Sequence, residues 1–428
     1  MTLLEKMMEI FDGIPLIDTH SHLCPVEAEY NASGDILTDW VPAYLLDDLR
    51  SAGLTEKHAE MILDSGRDLI FRWRLLEPFW KQTENTGYAR MWKFSLQRLY
   101  KKEKITADNI LELNEQYKKL HESPGFYRRI LKEICNIQAA VSDYSLYKGI
   151  RMEHDREFFR PVFRMDHLIF PKDSGDLSLI EEECGFPVNS LDDIIEAVPV
   201  IMDRALENGA VGFKAGLAYL RSLDYAFADY EEARRGFQVI RSFRIGLPDE
   251  LRMSGRVPKA YQDFVMHEIL RAANKRGAVF QIHTGMHAGA GNYLQTSNPV
   301  LLSNLFLEYQ NVKFDIFHAG YPYYRELGVL AKQFPNVYAD LCWTHVISPS
   351  DSRDALRSWL ETVPAGKILA YGDDLHSVDL VTGHTMTARD NICRVLAEKM
   401  KERLFTLEQA ERILQMILRE NAKKLYRI

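Results

Sequence analysis

Short runs of apolar residues, many of them β-branched, recur along the chain with longer helical patterns between them. The runs are IPLID (14–18), IQAAVSD (137–143), PVFRMD (161–166), AVGFKAG (210–216), AVFQIHTG (278–285), KFDIFHAG (313–320), NVYADLCW (336–343) and KILAYGDD (367–374). Most are continuously apolar rather than alternating. That pattern belongs to strands buried on both faces, as in a parallel sheet. Eight such strands separated by helices predict an α/β fold, a (β/α)8 TIM-type barrel.

The connecting stretches carry ordinary helix signals. DFVMHEILRAANKRG (263–277) has apolar residues at helical spacing, a basic last turn and Gly277 placed to cap it. YYRELGVLAKQF runs up to Pro335, a stop. In TLEQ, Thr406 and Gln409 have the spacing of a capping box, and the stripe Ala410, Ile413, Leu414, Ile417, Leu418 follows. The opening MTLLEKMMEIFDG sets Glu5, Lys6 and Glu9 inside its apolar pattern, which predicts an amphipathic helix rather than a secretory leader.

The rhythm breaks between strands 1 and 2. Residues 24–136 are too long for one crossover and predict a helical insertion, with helices that include VPAYLLDDLRSAG, EKHAEMILDSG, GYARMWKFSLQRLY, ADNILELNEQYKKL and PGFYRRILKEIC. Its aromatic residues (Trp73, Trp80, Tyr88, Trp92) could form a lid over the active face, pack among themselves or build a dimer surface. A smaller, arginine-rich insertion is expected at 217–256. The whole chain, 1–428, is otherwise expected to be a single barrel.

Composition narrows the class. The chain has 428 residues, 46% of them hydrophobic, enough for a large core. A net charge of −8 lacks the basic excess of a nucleic-acid footprint, so no nucleic-acid partner is expected. The five cysteines are scattered and form no CxxC pair, which predicts a reduced, cytoplasmic protein without a disulfide framework or zinc ribbon. No uncharged run approaches membrane-spanning length, and no membrane partner is expected. The expected partner is a small-molecule substrate, with a homo-oligomer left open.

Polar residues gather where these strands end. His20 and His22 close strand 1, and residues two apart in a strand point to the same side. Lys214 ends strand 4, His283 strand 5, His318 strand 6, and Asp373 and Asp374 strand 8. Barrel enzymes place catalytic residues at these C-terminal strand ends. Imidazoles with a carboxylate are ligands for zinc, manganese or iron(II). Such an ion acidifies a water and polarises a carbonyl, and a neighbouring carboxylate can shuttle the proton. Each residue alone has a plainer role. An isolated HxH is a weak motif, an Asp after Gly is usually a turn or cap, and a lone Lys can snorkel. It is the set that points to a metal centre. Arg164 could grip a substrate carboxylate bidentately, or pair with Asp166 or another neighbour. Arg221, Tyr323, Trp343 and His345 follow strands 4, 6 and 7 and are candidates for the pocket wall. The glycine-rich HTGMHAGAGN loop lacks the strand-to-helix GxGxxG of a nucleotide site.

The segments LIDTHSHL, QIHTG, FHAGYPYYRELGVLAKQFPNVYADL, ILAYGDDLH and RENAKKLY resemble the amidohydrolase superfamily of metal-dependent barrels. The resemblance implies His20, His22 and His283 as metal ligands, joined by Asp374, which matches the family's strand 8 aspartate better than Asp373. Asp373 stands where the family usually has Ser or Thr. Asp374, His318 and Lys214 are the implied catalytic residues. Asp374 would be the general base, and His318 would polarise the substrate carbonyl or complete a second metal site. In two-metal members a carboxylated strand 4 lysine bridges the ions, and Lys214 supplies that part. The branches most resembled imply one divalent metal, expected to be zinc, with Lys214 then binding substrate or lining the core. FKAGLAYLRSL and HAGYPYYRELG resemble the amidohydrolase-like domain fused to glutamine synthetase in nodulin-type and fungal proteins. The long insertion, PVFRMDHL and DLCWTH resemble uronate isomerase. The implied function is a metal-dependent hydrolase, cleaving a C–N (amide-type) or C–O bond of a small carboxylate-bearing substrate through a metal-activated water. The alternative is a uronate-isomerase-like aldose/ketose isomerase using the same site.

Overall fold

Each apolar run becomes one strand of a single parallel sheet. A computed structural model describes residues 2–30, 34–143, 154–242, 257–289 and 291–428. The strands are β1 (Leu16–Ser21), β2 (Ile137–Ser142), β3 (Phe159–Arg164), β4 (Gly212–Ala215), β5 (Val279–Ile282), β6 (Lys313–Ile316), β7 (Val337–Asp340) and β8 (Ile368–Leu369). They pair in sequence order, all parallel. Backbone hydrogen bonds close the remaining seam between β1 and the segment after β8. Thr19 N–H donates to Tyr371 O (3.1 Å), Asp374 N–H to His20 O (2.9 Å) and His22 N–H to Leu375 O (3.1 Å). The result is the (β/α)8 barrel.

Helix signals hold where they were local. Helix Lys259–Arg276 ends at Gly277, whose φ of +58° is the left-handed conformation that a C-cap favours. Thr406 and Gln409 form their capping box at the start of Leu407–Gln415. At the foot of the barrel, helix Asn421–Tyr426 packs Leu425 and Tyr426 against Ile17, Val141 and Val279. The Tyr426 hydroxyl donates to Asp315 Oδ2 and accepts from Gln281 Nε2.

Residues between β1 and β2 form a run of helices with its own aromatic core. It includes helix Leu69–Thr83, which the sequence reading did not name; Pro78 sits inside that helix and obscures its signal. Trp73, Trp80 and Trp92 pack on one another rather than over the site, with Trp80 and Trp92 stacked at 5.4 Å. Arg72 is fully buried and paired with Asp35, which caps helix Ile36–Trp40. The second expected insertion, 217–256, is described as far as Ser242, and its residues 243–256 lie outside the described residues.

The long helix Val378–Lys401 seats these helices on the barrel through helix Gly87–Ser95. Contact is close enough that a Cβ on Gly383 would meet Met91 O at 1.9 Å. Gly383→Ala is therefore expected to lower stability by about 1–3 kcal/mol. A urea transition with an unchanged midpoint would contradict this close approach.

Candidate metal centre

All the strand-end residues singled out as ligands or catalysts meet at one point. His20 Nε2 and His22 Nε2 are 3.3 Å apart, and Asp374 Oδ1 lies 3.1 Å from each. Lys214 Nζ donates to His20 Nε2 (2.7 Å) and lies 3.2 Å from Asp143 Oδ2. On the other side of Asp374, His283 Nδ1 and His318 Nε2 are 2.9 Å apart, with His318 Nε2 3.9 Å from Asp374 Oδ2.

The hydrogen-bond partners define which imidazole atoms carry lone pairs. His318 Nδ1 faces Cys342 O (3.1 Å), and His283 Nε2 faces Met286 O (2.9 Å). A carbonyl only accepts, so both nitrogens carry hydrogen. In the neutral rings this turns two bare lone pairs toward each other at 2.9 Å. His22 Nδ1 faces Asp143 O (3.1 Å) and its Nε2 faces Asp374 Oδ1 (3.1 Å). A shared proton or a bound cation between such rings satisfies both lone pairs, and Lys214 Nζ stands beside His20.

Burial enforces these protonation states. It pulls His318 down to about 4, against the partial support of Asp374. Burial, then Lys214, holds His20 well below the usual range, while burial and His318 do the same to His283. Asp374 is also buried, but its contacts with His20 and His22 outweigh that penalty and keep it well below the ordinary carboxylate range. Neutral imidazoles and an ionised carboxylate are the donor set that a divalent metal takes. Donor atoms of His20, His22 and Asp143 lie within 4.8 Å of one another, as do those of His318, Cys342 and Asp374. Burial raises the Cys342 thiol well above its usual range, which disfavours a thiolate there.

Four non-glycine residues after β6, β7 and β8 have positive φ: His318 (63°), Ala319 (55°), Trp343 (61°) and Asp374 (56°). Such conformations cost of order 1 kcal/mol or more each and concentrate at functional sites.

The site opens into a cavity of about 590 Å³. Arg164 lines it, but its guanidinium is shared between Asp143 and Asp166. Burial opposes ionisation of Asp143, and Arg164 and Lys214 together still hold it well below the usual range.

Three expected wall residues are elsewhere. Arg221 turns away, its Nη2 2.6 Å from Asp263 Oδ1 and its guanidinium 3.9 Å over the Tyr225 ring. Tyr323 begins the helix Tyr324–Gln333 outside the cavity lining. Trp343 is wholly buried behind His318, edge-on at 5.2 Å, and supports that ring instead of facing the cavity.

Four residues of the site were not singled out from sequence. Asp143 ended the second apolar run, the same signal that marked the others. His376 follows Asp374 by two residues and stacks on His22 at 4.8 Å. Tyr44 donates its hydroxyl to Asp374 O, and Tyr219 packs on His283 at 4.7 Å. Neither tyrosine had a sequence signal.

A sequence model of the family described as Amidohydrolase matches residues 184–428. The chain belongs to the amidohydrolase family. Protein fluG of Emericella nidulans is 31% identical over 271 residues, 60% of this chain and 30% of fluG, so the match spans under a third of that relative. The glucuronate isomerase of Caulobacter crescentus superposes with a TM-score of 0.78 at 19% identity, over 99% of this chain and 94% of its own. The uronate isomerase of Thermotoga maritima does so with a TM-score of 0.79 at 15% identity, over 99% and 97%. At these identities the two structures bear on the fold alone, and that likeness runs through the helices between β1 and β2.

His345, another expected wall residue, is also buried off the cavity, with Nε2 2.8 Å from Ala370 O and Nδ1 2.7 Å from Ser352 Oγ. Burial pushes it down to about 4. The unfolded chain takes up this proton near 6.5 and the folded chain does not, so the stability His345 contributes is present above pH 6.5 and lost as pH falls toward 4. The loss amounts to about 3 kcal/mol. His345→Gln is expected to flatten the pH dependence of urea denaturation by one proton across that window. An unchanged slope would refute the assignment.

Proposed function

We propose that this amidohydrolase is a metal-dependent hydrolase that cleaves a C–N (amide-type) or C–O bond of a small polar molecule. The observation that carries the reading is the convergence of His20 Nε2, His22 Nε2 and Asp374 Oδ1 within 3.1–3.3 Å at the floor of the cavity. These residues, with His283, would hold one divalent ion, zinc first among the candidates. When bound, it supplies Lewis acidity toward a carbonyl and a water.

The chain's own groups then divide the work. Asp374 is ionised, and its Oδ2 edge is the base that takes a proton and returns it to the leaving group. His318 is neutral with Nδ1–H given to Cys342 O, so its Nε2 accepts. It fits a ligand or a proton acceptor better than a donor that polarises a carbonyl. Lys214 lies between His20 and Asp143; burial lowers its pKa and Asp143 opposes that. Carboxylating it would place a new negative charge against Asp143, which supports one metal rather than two. The cavity wall holds five carboxylates against Arg164, Lys172 and Lys214, so a divalent ion brings it to balance and leaves no surplus for an acidic substrate. A substrate carboxylate would then have to displace Asp143 or Asp166 from Arg164.

A uronate-isomerase-like activity is the second reading, favoured by the whole-length likeness to two uronate isomerases. Asp374 could move a proton between adjacent substrate carbons as readily as from water.

Purified protein is expected to carry about one equivalent of a divalent metal by elemental analysis. His20→Ala should lose the metal and at least about 100-fold in activity toward amide and ester panels. Metal-free wild type, or a fully active His20→Ala, would overturn the proposal. Ketose formation from hexuronates with no hydrolysis would select the second reading.

A further inference from the structure

Two side-chain bonds hold the helices between β1 and β2 to the segment that carries Asp374. Tyr44 donates to the Asp374 carbonyl, and Ser377 Oγ, just beyond Asp374, donates to Asp39 Oδ2 (2.8 Å) in helix Ile36–Trp40. The other Asp39 oxygen, Oδ1, accepts from the Tyr30 hydroxyl (3.1 Å). A second carboxylate, Asp379, acts on Asp39 from the first turn of helix Val378–Lys401, on the barrel side. Its Oδ2 accepts from the Tyr100 hydroxyl, and its Oδ1 lies 2.8 Å from Nε2 of His121, the last residue of helix Ile110–His121. The His121 and Asp379 side chains are 1% and 0% exposed. Tyr117 (4.1 Å), Phe126 (5.0 Å) and Tyr30 (5.4 Å) box in the His121 ring. Two acids and one imidazole are thus enclosed where the helices meet the barrel.

The charge in this box depends on its protons. Burial and then Asp379 raise Asp39 to about 6, and Ser377, His121 and Tyr30 only partly offset that. Burial opposes a charge on His121, but Asp379 and Asp39 outweigh it and raise that imidazole above its usual value of 6.5. The phenols that face the pair, Tyr30, Tyr100 and Tyr117, are raised by burial and then by the same acids, so they stay neutral here. Tyr127 packs on Tyr30 at 5.5 Å, and Asp35, which acts on Tyr117, is paired with Arg72. The neighbouring Lys118, Lys119 and Glu122 are exposed. Below about pH 6, Asp39 is neutral and a His121 cation balances Asp379. Above that the box holds one unmatched negative charge, and two once His121 loses its proton. Both groups bind a proton more tightly when enclosed than when released. The stability they contribute is therefore whole at acid pH and lost as pH rises, from 3.8 through about 6 for Asp39 and above 6.5 for His121. Buried His345 works in the opposite sense.

We propose that Asp39, Asp379 and His121 form a proton-controlled latch, which seats the helices between β1 and β2 on the barrel at mildly acidic pH and releases them as pH rises. Release frees Tyr44 from Asp374 O and widens the cavity entrance that Tyr44 lines. The latch takes no part in bond cleavage, and it rests on neither the metal nor the reaction proposed above.

The test is regional hydrogen exchange on the full-length protein, followed by mass spectrometry at pH 5, 6, 7 and 8, with each rate divided by the intrinsic rate at that pH. Peptides covering 36–45 and 110–121 are expected to lose at least about tenfold in protection between pH 5 and pH 7, the share of the Asp39 proton alone. Helix Asn421–Tyr426 at the barrel foot should show no such loss. Asp39→Asn should remove that tenfold. His121→Gln should expose the same peptides already at pH 5, because Asp379 then has no cation beside it. In protein with ¹⁵N-labelled histidine, the His121 signal, identified by its loss in His121→Gln, should titrate above pH 6.5. Protection that stays flat with pH, a loss shared equally by the foot helix, a loss untouched by Asp39→Asn, or a His121 signal that titrates below 6.5 would each overturn the proposal. If Asp39→Asn does not fold, the wild-type exchange series and the His121 titration still decide.

Discussion

A parallel barrel has one seam where its last strand must find its first, and here that seam carries the chemistry. Asp18 Oδ1 accepts from both His20 N–H (3.0 Å) and Asp373 N–H (3.1 Å), which ties β1 to the segment after β8. Asp374 N–H then donates to His20 O. Two of these bonds run from main-chain N–H groups to one buried carboxylate and the third is main-chain, and together they fix the segment carrying His20 against Asp374. Burial and the nearby Asp373 raise Asp18 well above the ordinary carboxylate range. The seam is thus held by a carboxyl that shares its burden with a neighbour. Register slippage by one residue would send His20 and His22 to the other face and dissolve the site.

The same face concentrates charge that water would ordinarily screen. Asp143 answers both Arg164 and Lys214, and Asp374 answers the imidazoles. Removing one member of such a set leaves a buried charge unpaired, which costs more than the pairing itself contributes. Deeper in the barrel, burial raises Asp315 to about 7, and its bond from Tyr426 only partly offsets that. Asp340 beside it is raised as well, by burial and then by Asp315. These two acids can share a proton in the core, whereas Asp143 and Asp374 are held below the ordinary range by the cations and imidazoles beside them.

What the sequence made legible was whatever a strand end or a helix cap expresses locally. His20, His22, His283, His318 and Asp374 each follow an apolar run, and the barrel rule places such residues at one face whatever the loops do. Gly277 and Thr406 likewise declared their caps. Arg221 was misplaced because its partners, Gln262 and Asp263, lie 41 and 42 residues further along the chain and nothing local announces them. Asp143 carried the right signal and was passed over, since one aspartate at a strand end is indistinguishable from a turn former. Tyr44 was beyond reach for a different reason. Its φ of +72° at a kink aims the ring in a way that a helical repeat does not predict.

Tyr44 also shows how the helices between β1 and β2 bear on chemistry. Its hydroxyl donates to the carbonyl of Asp374, and Asp47, three residues on, accepts from Gly289 N–H (2.7 Å) in the loop after His283. Tyr88 and Tyr44 stack in front of Trp343, which braces His318. The helices are therefore bonded to the same backbone that carries the proposed base and two of its imidazoles. A change in how they seat would move the acid–base groups as well as the entrance. Fold alone assigns no reaction to such a barrel. The geometry does constrain it: the closed seam fixes His20 and Asp374 against one another, while the helical cap, through Tyr44, borders the cavity that leads to them.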